Sequence, residues 1–295
     1  PIDGQNIPDL NPLLSATEAV ASILNMGDTV IFESTVYPGL TEELCIPILE
    51  KISKLIINKD FYVGYSPERV NPGDKVNTLP NITKIVSGSS QAALHLVDDL
   101  YKRIITAGTY IASSIKVAEA AKVIENSQRD INIAFINELS MLFSKLEIDT
   151  MEVLNAASSK WNFLQFKPGL VGGHCIGVDP YYLAFKAQQV NFNPRIILNG
   201  RAINEEMPKY CIKEVIKTAK KQGLNLSSAK IAILGVTFKE NCPDIRNTKV
   251  FELVQEVQDW GFDLQLHDPI ANVNDVKELF GLNLTDISKI KADII

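Results

Sequence analysis

One short run sets the chemistry that this sequence can do. Gly172-Gly173-His174-Cys175-Ile176-Gly177-Val178-Asp179-Pro180 places a cysteine between glycines, with an aspartate four positions on. Glycines let backbone amides approach a ligand closely, and nearby amides or cations favour the nucleophilic thiolate. A structural thiol is the ordinary role of a cysteine, but the paired glycines and the Asp favour a reactive one. Cys45 and Cys211 fall in helical apolar patterns and read as structural. No two of the four cysteines form the CxxC pair that a zinc or redox site would use.

Other residues suit the same chemistry. Lys122 and Asn126, spaced i,i+4, share a helix face amid Val117, Ala118, Ala121, Val123 and Ile124. A cation and an amide together can stabilise the oxyanion formed when a thiolate adds to an aldehyde; the alternative is a solvated surface pair. Glu68, after Ser66-Pro67 and before Arg69, can bind a sugar hydroxyl or act as base on water; its alternative is an Arg–Glu surface pair. Thr35, after Ser34 at a strand end, can order a water or touch a cofactor. Phe238-Lys239-Glu240 and Asp244-Ile245-Arg246 follow another strand, where cations suit phosphates or simply cap a helix. His95, His174 and His267 have no metal-ligand spacing, so no metal is expected.

The elements that must position these residues alternate. Residues 11 to about 25 read as a helix, 29–33 as a strand, 41–55 as a helix, 61–65 as a strand, 84–86 as a strand and 89 to about 105 as a helix. That is an α/β pattern with a mostly parallel sheet, whose strand ends read Ser34-Thr35 and Ser66-Pro67-Glu68. Ser113 or Ser114 can cap a helix free of Pro and Gly to about Leu146, roughly 45 Å long, a length that bridges domains or forms a dimer seam. Helical segments continue to about Gly223, broken by a glycine-bearing loop at 163–180. A second α/β unit opens near 227, with strands at 230–235 and 263–267 and a helix at about 248–260.

Of 295 residues, 46% are hydrophobic, enough to bury a core without metals or disulfides, and the length suggests about two domains. The net charge of -6 provides no global attraction for nucleic acid or an anionic membrane. No apolar run reaches the roughly eighteen residues of a membrane span. The opening Pro1-Ile2-Asp3-Gly4 is no signal peptide, and both ends read as the interior of a longer chain. A GxGxxG dinucleotide loop does not occur in the sequence.

Taken together, Glu33-Ser34-Thr35-Val36, Ser66-Pro67-Glu68-Arg69, Lys122 with Asn126, Gly172 to Asp179, and Phe238-Lys239 with Asp244-Ile245-Arg246 resemble the UDP-glucose/GDP-mannose dehydrogenase family across essentially the whole chain. The glycine–cysteine motif is highly specific; the others are weak alone. The resemblance implies two Rossmann-like α/β domains, both truncated, joined by a helical central domain with a long helix. Residues 1–112 would be the remainder of the NAD-binding domain, 113–226 a dimerisation and catalytic domain, and 227–295 the start of a UDP-sugar-binding domain. It implies NAD as cofactor and oxidation of a sugar C6 alcohol to a carboxylate. Cys175 would be the nucleophile, Lys122 and Asn126 the oxyanion partners, Asp179 and Thr35 the water-positioning groups, and Glu68 the base. Ser34, Thr35 and Arg246 would meet NAD. Glu68, Arg69, Val70, Lys122, Asn126, Phe166, Gly172, Phe238 and Lys239 would meet the substrate.

One departure bears on the substrate. The UDP-glucose branch carries a second Glu four residues after the first, and Pro72 stands there. Glu68-Arg69-Val70-Asn71-Pro72-Gly73-Asp74, Gly-Gly-His-Cys and Val-Asp-Pro-Tyr-Tyr are similar to the UDP-N-acetylhexosamine branch, whose uronic acids enter bacterial capsule and related polysaccharides. The alternatives are a UDP-glucose 6-dehydrogenase and a non-catalytic nucleotide-sugar-binding scaffold, against which the intact Cys175, Lys122, Asn126 and Asp179 argue. A cytoplasmic homodimer built on the long helix is expected, with no nucleic-acid or membrane partner, and the chain as it stands, without the NAD loop, is expected to be inactive.

Overall fold

The computed structural model describes residues 1–71 and 73–295; Pro72 lies outside the described residues. In chain order the helices are α1 (Asn11–Ala21), α2 (Ile46–Ser53), α3 (Gln91–Lys102), α4 (Ile115–Leu146), α5 (Thr150–Ala157), α6 (Asp179–Gln189), α7 (Arg195–Lys221), α8 (Val250–Asp259) and α9 (Val273–Phe280). The strands are β1 (Thr29–Phe32), β2 (Tyr62–Tyr65), β3 (Lys84–Gly88), β4 (Thr109–Ile111), β5 (Lys230–Leu234) and β6 (Asp263–His267). Two compact units form, Pro1–Ser127 with Val178–Pro194 and Gln128–Gly177 with Arg195–Ile295.

The first unit holds a sheet in the order β1-β2-β3-β4. β1 runs parallel to β2, with Thr29 opposite Tyr62 and Phe32 opposite Tyr65, and β4 runs parallel to β3. β2 and β3 are antiparallel, pairing Gly64 with Gly88 and Tyr65 with Ser87, which corrects the mostly parallel expectation at this one step. The reason lies in the connection between them: among the described residues its regular structure is one short 3-10 turn, Leu79–Asn81. Without a crossover helix the chain returns antiparallel. The core is apolar and drawn from helices as well as strands, with Leu40, Leu49, Phe61, Val63, Tyr65, Ile115, Ala118 and Val123 all buried.

Local chemistry sets the helix ends. α1 stops at Ala21 rather than near 25, because Ser22 Oγ turns back to the Ala19 carbonyl and Gly27, at φ +88, closes the following turn. The helix expected over 41–55 opens as a π-turn, Thr41–Cys45, before α2, with the Ile46 amide reaching Thr41 O. Pro47 follows at once and lacks an N–H for the regular ladder. Ser90 caps α3 through the Ala93 amide, and Ser114 accepts from Val117 N at the start of α4. β4 escaped the sequence reading because it has only three residues.

In the second unit β5 and β6 pair in parallel from Lys230–Asp263 to Leu234–His267. Ile294 bridges to Ile231 in parallel, and the Ala232 amide donates to Ile294 O at 2.9 Å. Ile212, Ile216, Val257 and Phe262 form one core cluster, and Val254, Leu266, Val276 and Phe280 another. The glycine-bearing loop expected at 163–180 ends at Val178, because Asp179-Pro180 opens α6 with Pro in the first turn, where its missing N–H costs nothing. Among the described residues, no helix is long and apolar enough to cross a membrane.

Candidate functional site

In the first unit, α4 and the N-terminus of α6 bring three of the anticipated residues together. Asn126 Nδ2 donates to Asp179 Oδ2 at 2.6 Å. Lys122 and Asp179 are buried, at 8% and 3% exposure, so Lys122 is not half of a solvated surface pair. Burial pushes the Asp179 carboxyl up to about 6, against the Asn126 hydrogen bond and the Lys122 charge, which pull it down. Burial wins, so the group titrates where proton transfer is useful.

Ser34 and Thr35 follow β1 and line a cavity of about 190 Å3 with Asp9, Leu10, Val36 and Tyr182. Tyr65 Oη donates to Ser34 O at 3.0 Å. Glu119, fully buried one turn before Lys122, accepts from Gly39 N at 2.5 Å and Thr41 N at 3.0 Å, tying the loop after Thr35 to α4.

Glu68 and Arg69 do not form the simple surface pair. Glu68 Oε1 accepts from the amides of Arg69 (2.7 Å) and Val70 (2.6 Å), and Oε2 lies 3.4 Å from Lys84 Nζ. Burial raises its pKa, but the Val70 amide, the Lys84 charge and the Arg69 amide outweigh burial and hold it below the ordinary value. Arg69 instead pairs with Glu125 of α4 at 2.6 Å and donates to Thr83 O at 2.8 Å.

The second unit presents the thiol. Cys175 is exposed, whereas Cys45 and Cys242 are buried and Cys211 is partly so. Burial pushes the Cys45 thiol up to about 11, which makes it inert at neutral pH. The glycines before Cys175 have clear steric causes. A Cβ on Gly172 would meet Asn247 O at 2.8 Å, and Gly173, at φ +84, would put one 2.6 Å from the Phe238 ring. Gly173 N donates to Asn247 O and Asn247 Nδ2 to Gly173 O. Phe238 and the turn at 244–248 thus hold the glycine pair on which Cys175 sits. His174 Nε2 lies 3.9 Å from Asp244 Oδ2, and Arg246, exposed, forks onto Asp244 at 2.8–3.2 Å. Lys239 Nζ lies 5.6 Å from the Phe238 ring centre.

Phe166 is half-buried in the loop before the glycines. Beneath that loop runs a polar network that the sequence reading missed. Asn137 exchanges hydrogen bonds with the Gly169 backbone and donates to Asn204, Asn204 donates to Asp130, and Arg201 pairs with Asp130 at 2.6 Å. Lys84 and Glu119 were also missed. An i,i+4 spacing signals a shared helix face, whereas these partners lie tens of residues apart and leave no local pattern. Among the described residues no group of three or more His, Cys, Asp or Glu could hold a metal ion.

The parallel pairing of β1 with β2, with Ser34 and Thr35 just past the end of β1, is that of an α/β protein of the nucleotide-binding kind. Residues 1–105 match the NAD binding domain of the UDP-glucose/GDP-mannose dehydrogenase family, 116–206 its central domain and 232–294 its UDP binding domain. The chain belongs to this family of NAD-dependent UDP-sugar dehydrogenases. It is 57% identical to Protein CapL of Staphylococcus aureus, over 100% of this chain and 70% of that protein. It is 54% identical to the UDP-N-acetyl-D-glucosamine 6-dehydrogenase of Salmonella typhi, over 99% and 68%. The UDP-D-ManNAc dehydrogenase structure from Pyrococcus horikoshii superposes with a TM-score of 0.85 at 32% identity, over 92% of this chain and 64% of that one. The chain therefore spans about two thirds of the length of these relatives.

Proposed function

We propose that the protein oxidises the C6 alcohol of a UDP-N-acetylhexosamine, UDP-GlcNAc foremost, to the uronate for bacterial surface polysaccharide. The observation that carries this reading is the Lys122–Asn126–Asp179 group, with its cation and carboxyl buried and the Asn126 amide bonded to the carboxyl, an arrangement suited to an oxyanion and a proton. The 54% identity to a UDP-N-acetyl-D-glucosamine 6-dehydrogenase supports the amino sugar, as does Pro72 at the position of the second acid. The intact thiol, cation and amide set speaks against a non-catalytic scaffold.

Ser34 and Thr35 fit one edge of a dinucleotide, since their hydroxyls stand at a strand's carboxyl end beside a cavity. NAD, when bound, would supply the hydride acceptor, one molecule for the hydride of the alcohol and a second for that of the cysteine adduct of the aldehyde. The Cys175 thiolate adds to the aldehyde carbon, and the electron pair of the carbonyl becomes an alkoxide held by Lys122 and Asn126. Once that adduct is at the thioester level, Glu68 takes a proton from water placed by Thr35 and Asp179. The water oxygen bonds to the acyl carbon, and the C–S pair returns to Cys175. Gly172, Phe166, Phe238, Lys239, Arg69 and Val70 hold the nucleotide sugar, and Arg246 meets the phosphates of NAD. The domains are taken as 1–112, 113–226 and 227–295. Two chains pair through α4, whose Val117, Ile124, Phe135 and Leu142 are about half exposed, and the enzyme works in the cytoplasm.

The test uses the full-length protein with NAD and UDP-GlcNAc, UDP-GalNAc, UDP-ManNAc or UDP-glucose, following NADH at 340 nm. Two NADH per UDP-GlcNAc, with uronate lost in Cys175→Ser, are expected. Preference for UDP-glucose overturns the amino-sugar assignment, and no NADH with any of the four overturns the activity.

A further inference from the structure

Lys84 is 3% exposed, yet its amine sits between two carboxylates. Its Nζ lies 3.2 Å from Glu33 Oε1 and 3.4 Å from Glu68 Oε2, and both glutamates keep 48% of their side-chain surface in solvent. Tyr101 Oη from α3 donates to Glu33, and Lys84 Nζ lies 5.1 Å from the Tyr101 ring centre. The place of the ammonium is fixed by the strands. Ser66 Oγ donates to Ile85 O at 2.7 Å and Ser87 Oγ to Tyr65 O at 2.8 Å, so β3 is stitched to the end of β2, three residues before Glu68.

Replacing a buried ion pair by well-packed apolar side chains is often neutral or stabilising, so stability alone gives no reason for a lysine here. What the lysine changes is Glu68. One oxygen of that carboxylate is held by the Arg69 and Val70 amides of its own loop and the other faces Lys84, a cation from another element that lowers its pKa. The other charged groups nearby do not replace this contact, since Arg69 on the same loop is turned to Glu125 of α4.

We propose that Lys84 is a positioning residue for the general base. Shared between Glu68 and Glu33, its ammonium aims the Glu68 carboxylate and keeps it ionised, with Glu33, itself anchored by Tyr101, as the counterweight. The inference rests on the reading of Glu68 as the base that activates water. It predicts opposite effects from the two neighbours. Removing the Lys84 charge makes Glu68 easier to protonate; removing the Glu33 charge frees the ammonium for Glu68 and makes it harder to protonate.

The experiment measures kcat and KM for the UDP-sugar against pH in the full-length enzyme, with intact-protein mass to detect the acyl-enzyme. Variants are Glu68→Gln, Lys84→Met, Lys84→Arg and Glu33→Gln. Lys84→Met is expected to lower kcat on the order of tenfold near pH 6, a fraction of what a general base contributes, with KM unchanged and the acid limb moved to higher pH. Lys84→Arg restores the limb, and Glu33→Gln moves it to lower pH. Glu68→Gln abolishes the limb and accumulates acyl-enzyme. Loss of turnover in Glu68→Gln with wild-type profiles in both Lys84→Met and Glu33→Gln overturns the role of Lys84 and leaves Glu68 as base. Wild-type turnover in Glu68→Gln overturns the base assignment and, with it, this inference. If Lys84→Met does not fold, the direction of the Glu33→Gln limb decides alone, and an unmoved limb refutes the proposal.

Discussion

Asp179→Asn separates what this carboxyl does for the reaction from what it costs the fold. Burial raises the group from its ordinary 3.8 to about 6, even with Asn126 and Lys122 beside it. That shift corresponds to roughly 3 kcal/mol of penalty on the ionised form. Because the folded value lies above the unfolded one, the folded chain binds the proton more tightly between about pH 4 and 6. Stability is then greatest below that window, falls as pH rises through it, and is flat above. Asparagine is neutral, has the same shape and still accepts from Asn126 Nδ2, so it removes the penalty. Melting temperatures of the two proteins are compared from pH 4 to 8. At pH 8 the variant is expected to be more stable by on the order of 1–3 kcal/mol, a rise of several degrees for a chain of this size, and the gain vanishes toward pH 4. Uronate formation falls by about a hundredfold or more in the same variant, the scale of a lost acid–base group. A stability difference that is absent, or that does not change with pH, refutes the reasoning.

Gly173→Ala forces a side chain into the left-handed region and onto the Phe238 ring, and should cost at least about 1–2 kcal/mol, read as a lower melting temperature. Gly177→Ala, whose nearest neighbour would lie at 3.7 Å, should leave the melting temperature unchanged. Arg201→Leu strands the Asp130 carboxylate in the interior and should cost about 3–5 kcal/mol in chemical unfolding; adding Asp130→Asn should recover part of it. Phe135→Glu, on the apolar face of α4, should convert the proposed dimer to a monomer by light scattering.

The parts of the fold that were legible are those with a local signature. β6 was read at its full length, and α4 was given both its length and a serine cap, because periodicity and an N-cap hydroxyl act within a few residues. The glycine pair before Cys175 was legible as a place where side chains do not fit. The reason they do not fit, Phe238 and Asn247 some seventy residues on, was not. Arg69 shows the limit most plainly. Adjacent in sequence to Glu68, it invites an Arg–Glu pair, yet their side chains diverge. Arg69 reaches Glu125 on α4, while Glu68 takes its cation from Lys84, a residue singled out by no motif.

The same contrast separates identity from tuning. Nucleophile, oxyanion partners and base are residue types that only some side chains can supply, so they can be sought in a sequence by composition and spacing. What sets their charge is burial and a neighbour from another element: Asp179 is raised by being enclosed, and Glu68 is lowered by two amides and an ammonium. Two carboxyl groups with nearly the same intrinsic acidity are thereby driven apart within one unit. One is left to titrate at about 6 and the other is held ionised, the state a base requires. That division depends on the fold, because it is produced by residues such as Lys84 that do no chemistry themselves.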